Sequence, residues 1–364
     1  MPSKSRFHYV PILKWRQGEY QSLLRMEDEW KDFILPLLEL CPPEFDFETQ
    51  KLKKTIDEQL STFAVRFKAK WGTRPAFVDG LHIDPNDRMI GGIHPLTFVL
   101  DEVRLKGGKV VPVTGLERDP PYQAAVKDAI EKDQRGFCLR LSLDDAADDD
   151  LDDRVIELLD LLENSLEEAH ILVDLKAANF QPVSELSNLI VNIFRKHTLF
   201  AKSRSLTLAG SSFPATMASF KKSISEISRF EWFLYKEVVR LLRPQERRPQ
   251  FGDFGIAGPD LVVIDMRLVK PAASVRYTID DKWLVAKGKN VRDNGFAQYK
   301  DLCKEIVKSP HYLDLGRDFS EGSEYIYLCS KGEASTGNLT TWRWVGTNHH
   351  MTKVVKDLAN FYGS

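Results

Sequence analysis

Short apolar runs alternate along the chain with longer amphipathic stretches, and the alternation keeps repeating. YVPILKW (9–15) reads as a strand and GEYQSLLRMEDEWKDF (18–33) as a helix. Further strands follow at 34–40, 75–83, 109–116, 136–143, 169–177, 205–213 and 248–256. Helical periodicity fills the gaps at 46–71, 94–107, 122–134, 151–165, 183–201 and 220–243. After residue 256 the rhythm breaks. Residues 260–289 read as β-rich, 295–309 as a helix, 323–330 as a strand and 349–363 as a final helix.

Eight strands, the first seven each followed by a helix, imply parallel pairing, because parallel neighbours need a crossover. The pattern predicts a TIM-like (β/α)8 barrel over 8–256, an α+β insertion at 257–348 and a closing helix at 349–364. An insertion at that place emerges at the C-terminal face of the barrel, where this architecture carries its chemistry. A separate C-terminal domain is the alternative. A doubly wound open sheet is the rival fold, but no GxGxxG or Walker sequence supports it.

Side chains two apart share a face of a strand. In each strand an inward-type residue is followed two positions later by a polar one: Lys14, Glu39, Asp79, Thr114, Arg140, Asp174, Ser211 and Asp253. A barrel interior is normally filled by branched apolar side chains, so eight polar strand ends predict a pocket at the C-terminal rim. Asp253-Phe254-Gly255 matches the magnesium-binding tripeptide of protein kinases, but no HRD loop or glycine-rich loop accompanies it. Asp253 is therefore expected as a strand-end pocket residue.

Four carboxylates beside cations suit metal-assisted hydrolysis of a phosphodiester or pyrophosphate. Asp79, Asp174, Asp253 and Glu39 are the expected catalytic groups, with Asp174 and Asp253 as ligands for Mg²⁺. Lys14, Arg140, Lys176 and Ser211 would hold the substrate, and Arg276, Lys287, Arg343 and His350 would complete the anionic site from the insertion and last helix. A structural network of internal salt bridges and a two-carboxylate glycosidase are competing readings. His82 and His94, on the connection after strand three, read as surface residues, and DDAADDDLDD (144–153) as a solvated helix start.

The net charge is −2, which argues against coating nucleic acid by bulk charge and leaves room for a local basic groove. Cations and aromatics such as Arg276, Tyr277, Trp283, Lys287 and Trp344 make single-stranded nucleic acid a possible partner of the insertion. The four cysteines have no CxxC spacing, so neither zinc nor a redox pair is expected. No apolar run suits a signal peptide or a membrane span, and a cytoplasmic location is expected.

YVPILKWRQGEYQSLLRM, ILPLLEL, ILVDLK, FGDFGI and the tail SVRYTIDDKWLVAKGK, QYKDLCKEIV and TWRWVGTNHHMTKVV together resemble the phage-type beta protein family. The resemblance runs over nearly the whole chain. It implies a place in phages or bacterial phage-conflict loci and highlights Lys14, Asp79, Asp174, Asp253, Arg276, Arg343 and His350 without assigning a role to any. That setting makes a non-catalytic sensor of a phage or host protein the second reading, beside an enzyme acting on a nucleotide or nucleic acid.

Overall fold

A computed structural model describes residues 9–217, 220, 223–261, 265 and 268–363. Eight parallel strands close into a barrel: β1 (Tyr9–Lys14), β2 (Leu37–Glu39), β3 (Pro75–Asp79), β4 (Lys109–Thr114), β5 (Phe137–Ser142), β6 (Ala169–Asp174), β7 (Ser205–Gly210) and β8 (Gln250–Asp253). Neighbours in space are neighbours in sequence, and β8 pairs with β1 to close the ring. This is the (β/α)8 barrel that the strand–helix alternation predicts.

The strands bury both faces. Val10, Ile12, Leu37, Phe77, Cys138 and Leu172 fill the barrel lumen. Tyr9, Leu38, Val78, Leu139, Val173 and Phe251 pack outward against the helices. Gly252 points into the lumen of the narrow barrel, where an added Cβ would lie 2.8 Å from the Ala209 Cβ and 3.0 Å from the Val10 carbonyl. Gly252→Val is expected to lower stability by about 1–3 kcal/mol through overpacking. A urea-unfolding midpoint equal to that of the parent protein would contradict the packing.

Several elements differ from the sequence reading. The expected helix at 46–71 is a two-residue hairpin (Phe45–Asp46 with Lys51–Leu52) followed by helices Ile56–Leu60 and Phe63–Lys70. The Asp46 carboxylate takes the N–H groups of Glu48 and Thr49, and a Thr55–Glu58 capping box starts the helix afresh. The expected helix at 220–243 begins at Phe230. Ahead of it, strand Ser223–Ser228 pairs antiparallel with Lys282–Asn290, which also pairs with Ala272–Thr278. That partner lies far along the chain, so no local signal announces it.

The expected strand at 323–330 is part of helix Glu321–Lys331. Its tyrosines and isoleucine carry β propensity, but Ser320 caps its N-terminus. Ile326 and Cys329, three apart, bury one helical face. The last helix starts at Leu339 rather than 349 and runs to Gly363. The first part of the expected β-rich stretch, residues 262–264 and 266–267, lies outside the described residues. Among the described residues no helix is long and apolar enough to cross a membrane.

Candidate functional site

Strand alternation brings six of the eight expected strand ends to one rim. Ile12, Leu37, Phe77, Cys138, Leu172 and Ala209 all face the lumen. Lys14, Glu39, Asp79, Arg140, Asp174 and Ser211 each lie two residues further on and therefore face the C-terminal mouth. Thr114 does not join them. In β4 it is Val111 and Val113 that face inward, and Thr114 turns out to bond Gln123 at 2.8 Å.

Arg140 is the hub. Its Nε and Nη2 donate to Asp174 Oδ2 at 3.0 and 2.6 Å, and its Nη1 to Glu39 Oε1 at 2.9 Å and Asp79 Oδ2 at 2.7 Å. One guanidinium thus ties together β2, β3, β5 and β6. The remaining carboxylate oxygens are also taken. Asp174 Oδ1 accepts from the Lys176 N–H at 2.8 Å. Asp79 Oδ1 accepts from Arg118 Nη2 and the Leu81 N–H, each at 2.9 Å. Glu39 Oε2 accepts from His82 Nε2 at 3.2 Å, with Lys14 Nζ at 3.9 Å.

Three cations (Lys14, Arg118 and Arg140) face three carboxylates, so the buried network is closed in charge as well as in hydrogen bonds. Burial pushes the Glu39 carboxyl up, but the His82 hydrogen bond and the charges of Arg140 and Lys14 outweigh it and hold the group at about 2. His82, expected at the surface, is instead drawn into the network with a side chain 16% exposed, and Arg118 went unrecognised; both sit on loops. Their one available signal is position, since both follow a barrel strand directly and so emerge at the C-terminal face.

Asp253 departs from expectation. It is two residues after Phe251, which packs outward on Trp232 and Tyr235, so Asp253 also faces the helices rather than the mouth. Its Oδ2 accepts from His350 Nε2 at 2.8 Å, and its Oδ1 from the Tyr9 hydroxyl at 2.7 Å and the Gly255 N–H at 2.9 Å. His350 is fully buried, and its Nδ1 bonds the Thr278 hydroxyl at 2.8 Å. The pair pins β8 to the last helix and the added sheet.

Asp174 and Asp253 therefore stand on opposite faces of the barrel wall, and the expected shared Mg²⁺ has no place between them. Every oxygen of the rim carboxylates already accepts at least one hydrogen bond from the protein. Among the described residues no group of three or more His, Cys, Asp or Glu can hold a metal.

A cleft of about 750 Å³ opens at the same end of the barrel and shares Lys14 with the network. Lys14, Arg16, Arg276 and Arg343 line it, and Lys53, Lys54 and Arg66 add charge from the segment after β2. Only Glu19, Glu44 and Asp260 oppose them, and Glu44 is held by Lys53 at 3.0 Å. Lys14 Nζ is steadied by the carbonyls of Gly258 and Pro259 at 3.2 and 2.9 Å. Arg276 lies 4.6 Å from the Phe213 ring centroid and donates to the Ile256 carbonyl. Burial, and then the Arg343 charge, push the Arg276 guanidinium below its ordinary pKa, which marks a cation lacking a counter-charge. Neither Arg276 nor Arg343 forms an ion pair among the described residues. Gly18 makes room, since a Cβ there would collide with the Arg343 side chain.

The other expected contacts lie elsewhere. Lys287 donates to the carbonyls of Met217 and Phe220 and anchors a loop, while the Lys176 side chain is exposed outside the cleft. Ser211 borders the mouth but bonds the Ala257 carbonyl at 3.1 Å. His94 caps helix Pro95–Leu105 through the Leu96 N–H. A second groove of about 530 Å³ runs between helices Pro120–Asp133 and Leu151–Leu162, where Glu117 and Asp148 already engage Arg154.

Fold and site together define a closed (β/α)8-barrel protein with an ion-paired rim and a basic cleft beside it. The family model described as Beta protein matches residues 9–356, and the chain belongs to that family. No curated protein matches it. Among solved structures it is similar to triosephosphate isomerase from Bartonella henselae, with 14% identity, a TM-score of 0.34, and 68% of this chain and 92% of that one covered. It is also similar to a mutant tryptophan synthase alpha-subunit from Pyrococcus furiosus, with 8% identity, a TM-score of 0.38, and 69% and 87% covered. A third is the carboxyl transferase domain of pyruvate carboxylase from Rhizobium etli, with 10% identity, a TM-score of 0.38, and 100% and 54% covered. The barrel assignment itself rests on the strand pairing.

Proposed function

We propose that the cleft at the barrel mouth binds a phosphate-bearing ligand, and that the carboxylates of the neighbouring network form a rigid floor to the mouth rather than a metal-assisted hydrolytic centre. The observation that carries this reading is the pair Arg276 and Arg343, two neighbouring guanidinium groups lining one cleft, neither of them in an ion pair among the described residues. Like charges brought together and partly desolvated favour an arriving anion, and guanidinium matches phosphate oxygens in bidentate geometry. The floor favours binding over hydrolysis, because Glu39, Asp79 and Asp174 are held by Arg140, Arg118, His82 and backbone N–H groups rather than turned to a substrate.

Titration calorimetry with pyrophosphate tests the proposal. Binding is expected to weaken as salt is added, and by about tenfold or more in Arg343→Ala or Arg276→Ala, the range of a lost charge-assisted hydrogen bond. Absence of binding, or binding indifferent to both substitutions, would remove the reading. Recognition of a phage or host protein would then gain, supported by the closed floor and by Ile90 and Ile93, which are exposed on the loop after β3 at the same face.

A further inference from the structure

Three of the side chains lining this cleft carry a buried polar atom with no hydrogen-bond partner among the described residues: Trp15 Nε1, Glu19 Oε2 and Arg343 Nη1. Trp15 is 8% and Glu19 7% exposed. Buried polar atoms are nearly always paired, so three on one cleft call for a common explanation. They also differ in sense. Trp15 Nε1 and Arg343 Nη1 can only donate, whereas a Glu19 carboxylate accepts. Glu19 is not an ion-pair partner of Arg343, and burial pushes its carboxyl up in spite of Arg343, Lys14 and Arg16 nearby.

A ligand made only of phosphate would satisfy the donors but set its own negative charge against Glu19. A volume of about 750 Å³ also falls in the range of small-molecule sites, about 300–1,000 Å³, and is roomy for a lone phosphate. An acidic side chain beside a phosphate site reads sugar hydroxyls in dinucleotide-binding folds, for the same reason of complementary hydrogen bonding.

We propose that the occupant of this cleft is a phosphorylated, hydroxyl-bearing small molecule, its phosphate on Arg343 and Arg276 and a hydroxyl donating to Glu19. This rests on the anion-binding reading above and narrows it. A sugar phosphate and a nucleotide share the chemistry.

The test is calorimetry on the full chain with three probes: inorganic phosphate, ribose 5-phosphate and adenosine 5′-monophosphate. At least one hydroxyl-bearing probe is expected to bind about tenfold or more tighter than inorganic phosphate. Its advantage should vanish in Glu19→Ala and in Glu19→Leu, which fills the space better, and persist in Glu19→Gln, whose amide oxygen still accepts. Preference for ribose 5-phosphate or for the nucleotide identifies the source. Equal binding of all three probes, or an advantage intact without the Glu19 acceptor, overturns this inference and leaves the anion site standing. If none of the three binds and pyrophosphate does not either, the anion reading itself has failed.

Discussion

Arg140→Met is expected to cost about 3–5 kcal/mol or more, enough to leave a domain of ordinary stability largely unfolded. Arg140 has a side chain only 7% exposed and is the common partner of Glu39, Asp79 and Asp174, whose side chains are 0–2% exposed. Removing it leaves three carboxylates in the barrel mouth with too little positive charge and with bonds unmade. Arg140→Lys is expected to fail nearly as badly, since one ammonium cannot span three strands as the guanidinium fork does. Urea unfolding followed by circular dichroism measures the loss. Adding Glu39→Gln, Asp79→Asn and Asp174→Asn to Arg140→Met should recover part of it, because neutral groups leave no uncompensated charge. A loss under about 1 kcal/mol for Arg140→Met would show that the network is not what holds the rim.

Acid is expected to destabilise the protein well before its carboxylates titrate. His349 is fully buried, bonding the Thr278 carbonyl through Nε2 at 2.7 Å and the Ser323 hydroxyl through Nδ1 at 3.0 Å, and stacking 3.8 Å from Tyr277. Burial, helped by neighbouring positive groups, pushes it from 6.5 down to about 3 although the Thr278 bond pulls the other way. Between those values the unfolded chain holds a proton that the folded one lacks. Stability therefore falls as pH is lowered through this window, by about 1.4 kcal/mol per pH unit, and the contribution is complete above about 6.5. Below about 4.5 the depressed Glu39 and Asp253 add a second loss with the same sign. Asp253 is held low by His350, Arg229 and Tyr9 against its own burial. Urea midpoints between pH 7 and pH 4 check this, and His349→Gln should remove about half of the first loss, because burial pushes His170 down to about 3 as well and it contributes over the same range. A parent midpoint constant over that range would refute the assignment of a neutral, buried His349.

The barrel and most of its rim were legible because both follow from local periodicity. A period of two along each strand, an inward apolar residue, and a polar one two places on are sufficient to bring Lys14, Glu39, Asp79, Arg140, Asp174 and Ser211 together once the strands close. The same rule failed at β8. Phe251 looks like a lumen residue, yet the lumen there has room only for Gly252, so the phase reverses and Asp253 turns to the helices. Phase depends on the width of the barrel, which no single strand records. The hydrogen-bond saturation of the carboxylates was likewise hidden, since Arg118 and His82 come from loops and Arg140 reaches across the barrel to strands far away in the chain.

What the sequence determined by itself is the architecture and the reservoir of charge at one end of it, because both are written in repeating spacings that each segment carries alone. Tertiary structure decided which charges cancel and which are left over. Glu39, Asp79 and Asp174 are consumed by cations from other strands and loops, and Arg276 and Arg343 have no ion pair among the described residues at a cleft that Arg16, Glu19 and Trp15 help to shape. The physical reason is that strand periodicity is a property of a few consecutive residues, whereas neutralisation falls off with distance in space and is settled only when remote segments meet.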